Sequence, residues 1–138
     1  MFKKNKKEDK PKVEKVEAEI VEELTKFAIE CGANVIVGPE ARGFLFGAPV
    51  AFNANMGFVP VRKPHKLPRE QVTYTYDLEY GQDTLCMHKD SLKKGDKVVI
   101  IDDLVAVGGT IDATAHMINE LGAEVVGVGC VIALKGLP

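Results

Sequence analysis

The sequence of 138 residues contains no tryptophan, and aromatic residues make up only 7% of it. Its three cysteines, Cys31, Cys86 and Cys130, are an odd number without CxxC spacing, which argues against a disulfide framework and a cysteine-ligated zinc site. A reducing cytoplasm is therefore the expected compartment. A net charge of −2 gives the chain as a whole no electrostatic attraction to nucleic acid, so no nucleic-acid partner is expected.

Long apolar runs are also scarce. The longest stretch without a charged residue, Gly43 to Val61, is interrupted by Pro49, Asn53, Asn55 and Pro60. A membrane-spanning helix tolerates few such residues, so neither a membrane span nor a membrane partner is expected. The start of the chain lacks the apolar core of a signal peptide, and none is expected.

The composition that remains is typical of a globular domain, with 46% hydrophobic and 28% charged residues. The length predicts one domain, which we expect to span residues 12–138. Lysines dominate residues 1–11. This segment is expected to be a frayed, solvated tail, and a basic arm that contacts a polyanion is the alternative.

Apolar periodicity predicts helices that alternate with strands around one hairpin. The predicted helices cover residues 11–31, 42–56 and 111–121, and Gly32, Gly57 and Gly122 are expected to end them. The predicted strands cover residues 34–38, 58–62, 97–101 and 124–134, with a hairpin of residues 74–80 and 84–88 and a mobile loop at 63–71. This alternation predicts an α/β fold in which helices flank a mainly parallel central sheet.

The segment from Val98 to Thr110 carries the strongest chemical pattern. A buried strand ends in two carboxylates, Asp102 and Asp103, and a glycine-rich loop then leads directly into a helix. Free N–H groups at a helix start favour an anion such as phosphate, and adjacent carboxylates suit sugar hydroxyls. A ribose 5-phosphate would satisfy both halves, whereas a glycine turn with a helix-capping Asp pair is the alternative.

This segment resembles the phosphoribosyl pyrophosphate signature of type I phosphoribosyltransferases. Three further stretches narrow the resemblance to the adenine phosphoribosyltransferase family. They are Gly38-Pro-Glu-Ala-Arg-Gly-Phe-Leu-Phe-Gly47, Gly57-Phe-Val-Pro-Val-Arg-Lys-Pro-His-Lys-Leu-Pro68, and Tyr76-Asp-Leu-Glu-Tyr-Gly81 with Met87-His88. The resemblance runs from about residue 35 to residue 134.

The resemblance implies a role for each matching residue. Asp102 and Asp103 would bind the ribose diol, and Glu79 and Tyr80 would assist proton movement from a flexible hairpin that covers the site. The 5′-phosphate loop would be Ala106, Val107, Gly108, Gly109 and Thr110, with Val107 where the family usually has threonine. The pyrophosphate residues would be Glu40, Ala41, Arg42, Arg62, Lys63 and Lys66.

The implied reaction is transfer of the phosphoribosyl group from phosphoribosyl pyrophosphate to adenine, which gives AMP and pyrophosphate in purine salvage. The resemblance also implies Mg²⁺ carried by the pyrophosphate rather than by direct protein ligands, and a homodimer. Family members usually begin with a Phe-Pro-x-Pro-Gly-Ile segment that covers the adenine, and this sequence does not contain it. A weakly active or inactive core that binds phosphoribosyl pyrophosphate or AMP is therefore the alternative, and a chain that keeps only the fold is a third interpretation.

Overall fold

The computed structural model describes residues 12–102 and 109–130, with side chains from residue 16 onward. The predicted tail at 1–11 and the last residues of the final predicted strand, 131–134, lie outside the described residues. The elements follow the predicted order. They are α1 (Lys12–Glu30), β1 (Val35–Pro39), α2 (Arg42–Ala54), β2 (Gly57–Val61), β3 (Gln71–Leu78), β4 (Gly81–His88), β5 (Lys97–Asp102), α3 (Gly109–Glu120) and β6 (Glu124–Cys130).

Four strands form a parallel sheet in the order β2-β1-β5-β6. Val35 of β1 lies opposite Gly57 of β2 on one side and Val98 of β5 on the other. Strands β3 and β4 pair separately as an antiparallel hairpin, which a bridge between Arg62 and Cys86 links to the end of β2. The carboxyl ends of the four parallel strands therefore share one edge.

Buried side chains form two clusters, one on each face of the sheet, because successive residues of a strand point to opposite faces. Ile36 packs in the cluster of Leu24 and the other buried residues of α1 and α2. Its neighbour Val37 packs in the cluster of Met117 from α3 and Leu85 from the hairpin. The predicted α/β fold with a parallel sheet flanked by helices is confirmed, and the hairpin lies on the same side as α3.

Residues with left-handed backbone conformation end the helices. Gly32 has φ 77° and Gly122 has φ 88°, as expected for glycines after a helix. The second helix ends at Ala54, before the predicted Gly57, because Asn55 adopts φ 56° and its N–H bonds back to the last turn. Asparagine tolerates this conformation better than most residues, and Gly57 instead begins β2.

Within the described part of the chain, no helix combines the length and apolar character needed to cross a membrane. The connection between β2 and β3 is irregular, as predicted. Its first end is tied to β4, since Arg62 exchanges backbone hydrogen bonds with Cys86 at 2.9 and 2.8 Å. Its last end is tied to the residue after β4, since the Lys89 N–H donates to the Glu70 carbonyl at 2.9 Å.

Candidate active site

The carboxyl edge of the sheet gathers polar side chains from three strands. Glu40 follows β1, Arg62 and Lys63 follow β2, and the buried Asp102 ends β5. These strands are parallel neighbours, so the sheet itself brings the residues together. Parallel sheets bind ligands at this edge, which makes it the candidate active site.

Glu40 is bound to both residues that follow β2. Its Oε1 accepts from the Arg62 Nε at 3.2 Å and from the Lys63 backbone N–H at 2.8 Å. Burial raises the pKa of Glu40, but the Lys63 amide and the Arg62 guanidinium lower it more, so the pKa lies below its ordinary value. The carboxylate is therefore ionised at neutral pH, and it orients cations rather than receiving an anion itself.

Helix α2 starts immediately beside this pair. Ala41 is the N-cap residue and makes no side-chain capping hydrogen bond, and the peptide bond between Glu40 and Ala41 is cis. The start of α2 lies tightly against β5, because a Cβ added to Gly43 would be 3.0 Å from the carbonyl oxygen of Ile101. The glycine after Arg42 thus lets the helix start approach the sheet edge.

Two aromatic rings support the Arg62 guanidinium. Its central carbon lies 5.9 Å from the centre of the Phe44 ring, which is within range of a cation–π contact. Phe44 in turn packs edge-on against Phe58, with ring centres 5.7 Å apart. Phe58 has room beside α2 only because position 47 is glycine, where a Cβ would lie 2.7 Å from the ring.

Lys63 extends in the other direction, toward the hairpin. Its Nζ donates to Oδ2 of Asp83, which also accepts from the Tyr76 hydroxyl at 3.3 Å. The Asp83 hydrogen bond raises the pKa of Lys63 above its ordinary value, and it exceeds the opposing effect of burial. Lys63 therefore presents a full positive charge at the edge of the sheet.

The start of α3 completes the arrangement. The Thr110 Oγ1 lies 3.3 Å from the Tyr76 hydroxyl, and the Tyr76 ring covers Gly109, where a Cβ would be 2.9 Å from the ring. The hydroxyl of Thr114 donates to the Thr110 carbonyl at 2.7 Å, within the helix. A continuous set of contacts thus joins Lys63, after β2, to Thr110 at the start of α3.

The structure describes only part of the predicted sugar-phosphate loop. Asp102, Gly109 and Thr110 are described, whereas the predicted residues Asp103, Ala106, Val107 and Gly108 lie outside the described residues. The described ends of this loop are the carboxyl end of β5 and the first turn of α3.

Three predicted site residues are exposed and stand apart from the contacts above. Lys66 lies in the connection between β2 and β3, and its charge contributes to the lowered pKa of Glu40. Glu79 and Tyr80 form the turn of the hairpin, where Tyr80 is 96% exposed. In the described ranges, neither the Glu79 nor the Tyr80 side chain has a hydrogen bond or an ion pair.

Sequence reasoning missed Phe44, Tyr76 and Asp83 as site residues. The signal for the last two was present in the hairpin register, because Tyr76 and Asp83 are direct cross-strand partners. Side chains of such a pair lie on the same face of a hairpin. Across residues 16–102 and 109–130, no group of three or more His, Cys, Asp or Glu side chains is arranged to hold a metal ion.

Comparison with known families gives one match that covers most of the chain. The family described as "Phosphoribosyl transferase domain" matches residues 6–136. The adenine phosphoribosyltransferase of Alkaliphilus oremlandii is 53% identical over 118 residues, which cover 86% of this chain and 69% of that protein. The protein of the same name from Lactobacillus gasseri is 58% identical over 115 residues, covering 83% and 66%. The chain therefore spans about two thirds of the length of these relatives.

The chain is also similar to solved structures of adenine phosphoribosyltransferases. The adenine phosphoribosyltransferase of Thermoanaerobacter pseudethanolicus superimposes with a TM-score of 0.80 at 49% identity, covering 83% of this chain and 66% of that one. The Saccharomyces cerevisiae adenine phosphoribosyltransferase, solved with an imino-altritol bisphosphate and adenine, gives 0.77 at 35% identity, covering 87% and 72%.

Proposed function

Because the chain belongs to the phosphoribosyltransferase family, we propose that it transfers the phosphoribosyl group of phosphoribosyl pyrophosphate to adenine, giving AMP and pyrophosphate. One structural observation carries the proposal. Lys63, a predicted pyrophosphate residue, is joined through Asp83 and Tyr76 to Thr110, a predicted phosphate residue. Sites suited to the two anionic ends of one substrate thus lie at one edge of the sheet.

The pyrophosphate end of the substrate is assigned to the residues that follow β1 and β2. Arg62 and Lys63 supply fixed positive charge. Arg42 adds positive charge at the start of α2, and Lys66 adds it in the connection between β2 and β3. The backbone N–H of Ala41 would face the anion, while the Glu40 N–H already donates to the Val61 carbonyl at 2.8 Å and the Glu40 carboxylate holds Arg62 in place. This division of roles keeps a carboxylate from facing phosphate directly.

The ribose 5-phosphate end is assigned to the β5–α3 connection. The Thr110 hydroxyl would bind the phosphate together with the backbone N–H groups of the loop. These belong to Gly109 and to the preceding residues Ala106, Val107 and Gly108. Asp102 and Asp103 would accept hydrogen bonds from the ribose hydroxyls.

The reaction breaks the bond between ribose C1 and the pyrophosphate oxygen and forms a bond from C1 to a ring nitrogen of adenine. Positive charge develops on the sugar, so fixed charges and substrate positioning supply most of the rate enhancement. Glu79 and Tyr80 would assist the proton transfers. Their exposed position on the hairpin turn requires the turn to close over bound substrate, which would also exclude water.

Magnesium is proposed to arrive with the substrate. Mg²⁺ prefers phosphate oxygens and water and commonly uses only one or two carboxylates. It would neutralise charge on the departing pyrophosphate. Asp102, at the end of β5, is the described carboxylate best placed to contact the ribose hydroxyls or a water of that ion.

The test of the proposal is AMP formation from adenine and phosphoribosyl pyrophosphate in the presence of Mg²⁺. The wild-type protein is compared with the Glu79→Ala variant and with the Glu70→Ala variant, which removes an exposed glutamate at the far end of the same hairpin. Turnover that Glu79→Ala abolishes and Glu70→Ala keeps would support the assignment. Binding of phosphoribosyl pyrophosphate without AMP formation would contradict it and leave a binding role.

We also propose a homodimer, formed through the outer face of α2. Leu45 and Phe52, about two helical turns apart, are 68% and 85% exposed. Large exposed apolar side chains on one helix face are typical of an interface. A second copy of the chain is the proposed occupant because α2 begins at the active-site edge, so dimer contacts would also steady the site.

We further propose two features of the whole chain. Residues 12–138 would fold as one domain, because the described elements on both faces pack against one sheet. A cytoplasmic location agrees with the free thiols of Cys31, Cys86 and Cys130. Limited proteolysis and cell fractionation test these two proposals.

A further inference from the structure

Asp83 uses both of its carboxylate oxygens within the hairpin and the site. Its Oδ1 accepts from the Thr84 N–H at 2.9 Å, and its Oδ2 accepts from Lys63 Nζ and from the Tyr76 hydroxyl at 3.3 Å. The side chain is 25% exposed. Asp83 is therefore fixed by its own strand while it holds Lys63, a cation that follows β2.

The Tyr76 hydroxyl carries the connection to the other end of the site. It has one proton, which it donates to Asp83, so the contact of 3.3 Å with Thr110 is made by the Thr110 hydroxyl as donor. The Tyr76 ring also covers Gly109 at the start of α3. The position of Lys63 is thus linked to the first turn of α3 through two side chains of the hairpin.

Asp77 provides an internal comparison on the same hairpin. Its Oδ1 accepts from the side-chain amide of Gln82 at 3.1 Å, and both residues are exposed. Asp77 and Asp83 thus each bond to a neighbour, but only Asp83 contacts residues assigned to the substrate site. Hairpin stability alone therefore does not account for the placement of Asp83.

We propose that Asp83 is a positioning residue for phosphoribosyl pyrophosphate, which holds the Lys63 ammonium toward the pyrophosphate. Through Tyr76, whose ring covers Gly109, Asp83 also fixes the position of that ammonium relative to the first turn of α3. This inference rests on the proposed function. An ammonium group has three N–H donors, and Asp83 occupies one of them. The other two point away from Asp83 and are available to pyrophosphate oxygens without a search through side-chain conformers.

The test measures the binding of phosphoribosyl pyrophosphate with Mg²⁺ by calorimetry, and its KM beside that of adenine. For Asp83→Asn we expect Kd and KM for phosphoribosyl pyrophosphate to rise about three- to sixfold, with the KM for adenine unchanged. The matched control Asp77→Asn should keep both constants. Asp83→Glu should restore part of the loss, because it returns the charge.

A pH profile separates positioning from a general loss of structure. Asp83, Tyr76 and Glu40 all act to raise the pKa of Lys63, and Asp83 has the largest effect. In Asp83→Asn, binding of phosphoribosyl pyrophosphate should therefore weaken at a lower alkaline pH than in the wild type or in Asp77→Asn. The Tyr76→Phe variant keeps the ring on Gly109 and should lose binding non-additively with Asp83→Asn, because both changes break one shared set of contacts.

The outcomes are distinct. If the wild type binds phosphoribosyl pyrophosphate and Asp83→Asn matches Asp77→Asn in Kd and in its pH profile, the positioning role is overturned while the proposed function stands. If the wild type itself does not bind, the proposed function fails and this inference fails with it.

Discussion

The Nε of Arg62 donates to Oε1 of Glu40 across 3.2 Å, although the two residues are 22 positions apart in the chain. Parallel pairing of β1 and β2 produces this contact, because both strands end at the same edge. The pair converts a flexible arginine into a fixed charge. Its side chains are 34% and 18% exposed, so solvent screens the interaction.

Glu40→Gln should lower the free energy of unfolding at pH 7 by no more than about 1 kcal/mol, the range of partly exposed ion pairs. The folded-state pKa of Glu40 is below its ordinary value of 4.5, so its contribution is complete above that value. It is lost as the pH falls through the lower folded-state pKa. Urea unfolding of both proteins at pH 7 and near pH 3 should show a difference that is smaller at acid pH.

Glu70→Gln is the control for this prediction. Glu70 pairs with Lys89 at 3.4 Å, with both side chains largely exposed, and its replacement should change stability little at either pH. An unfolding difference for Glu40→Gln that persists unchanged at acid pH would contradict the assignment of that difference to charge.

Gly47→Ala should destabilise the fold by about 1–3 kcal/mol, the usual cost of overpacking. The added Cβ would lie 2.7 Å from the Phe58 ring, which packs against Phe44 beneath Arg62. Thermal unfolding measures the loss. Gly57→Ala is the matched control, because nothing lies within 4 Å of its Cβ position. Equal melting temperatures for the two variants would show that the ring moves aside freely.

The fold could be predicted largely from the sequence because its parallel strands are continuous apolar runs between amphipathic helices. The site was predicted only in part. Arg62 and Lys63 follow an apolar strand, so the sequence alone indicates that they lie at the edge of the sheet. Which carboxylates hold them depends on contacts between distant segments, such as Lys63 with Asp83, and those require the docked hairpin.

The roles of Glu40 and Tyr80 illustrate the same limit. A motif places Glu40 beside the pyrophosphate but cannot show that its carboxylate is already bound to Arg62. A motif likewise places Tyr80 in the site, whereas the structure leaves it 96% exposed on the hairpin turn. Sequence identifies the residue types at an edge, and packing determines which of their atoms remain available.

Thr110→Val should weaken binding of phosphoribosyl pyrophosphate about ten- to a hundredfold, because the Thr110 hydroxyl would turn its proton from Tyr76 to the charged phosphate, and the variant cannot make that hydrogen bond. Valine keeps the size of threonine, so the first turn of α3 should remain folded. Calorimetry in the presence of Mg²⁺ measures the change. Thr75→Val, which removes an exposed hydroxyl 2.8 Å from that of Thr84, should bind like the wild type. A Thr110→Val protein with unchanged Kd would remove this hydroxyl from the 5′-phosphate site.

Phe52→Lys should convert the proposed homodimer to a monomer. Phe52 is 85% exposed on α2, so a lysine there fits the monomer without strain but places an unpaired charge in an apolar interface. Sedimentation velocity over a range of protein concentrations should give a dimer for the wild type and a monomer for the variant. Asn53→Lys adds the same charge at the next exposed position and should dimerise normally. The outer face of α2 is not the interface if the wild type sediments as a monomer at every concentration, or if Phe52→Lys dimerises like the wild type. The exposed Leu45 and Phe52 would then need another partner.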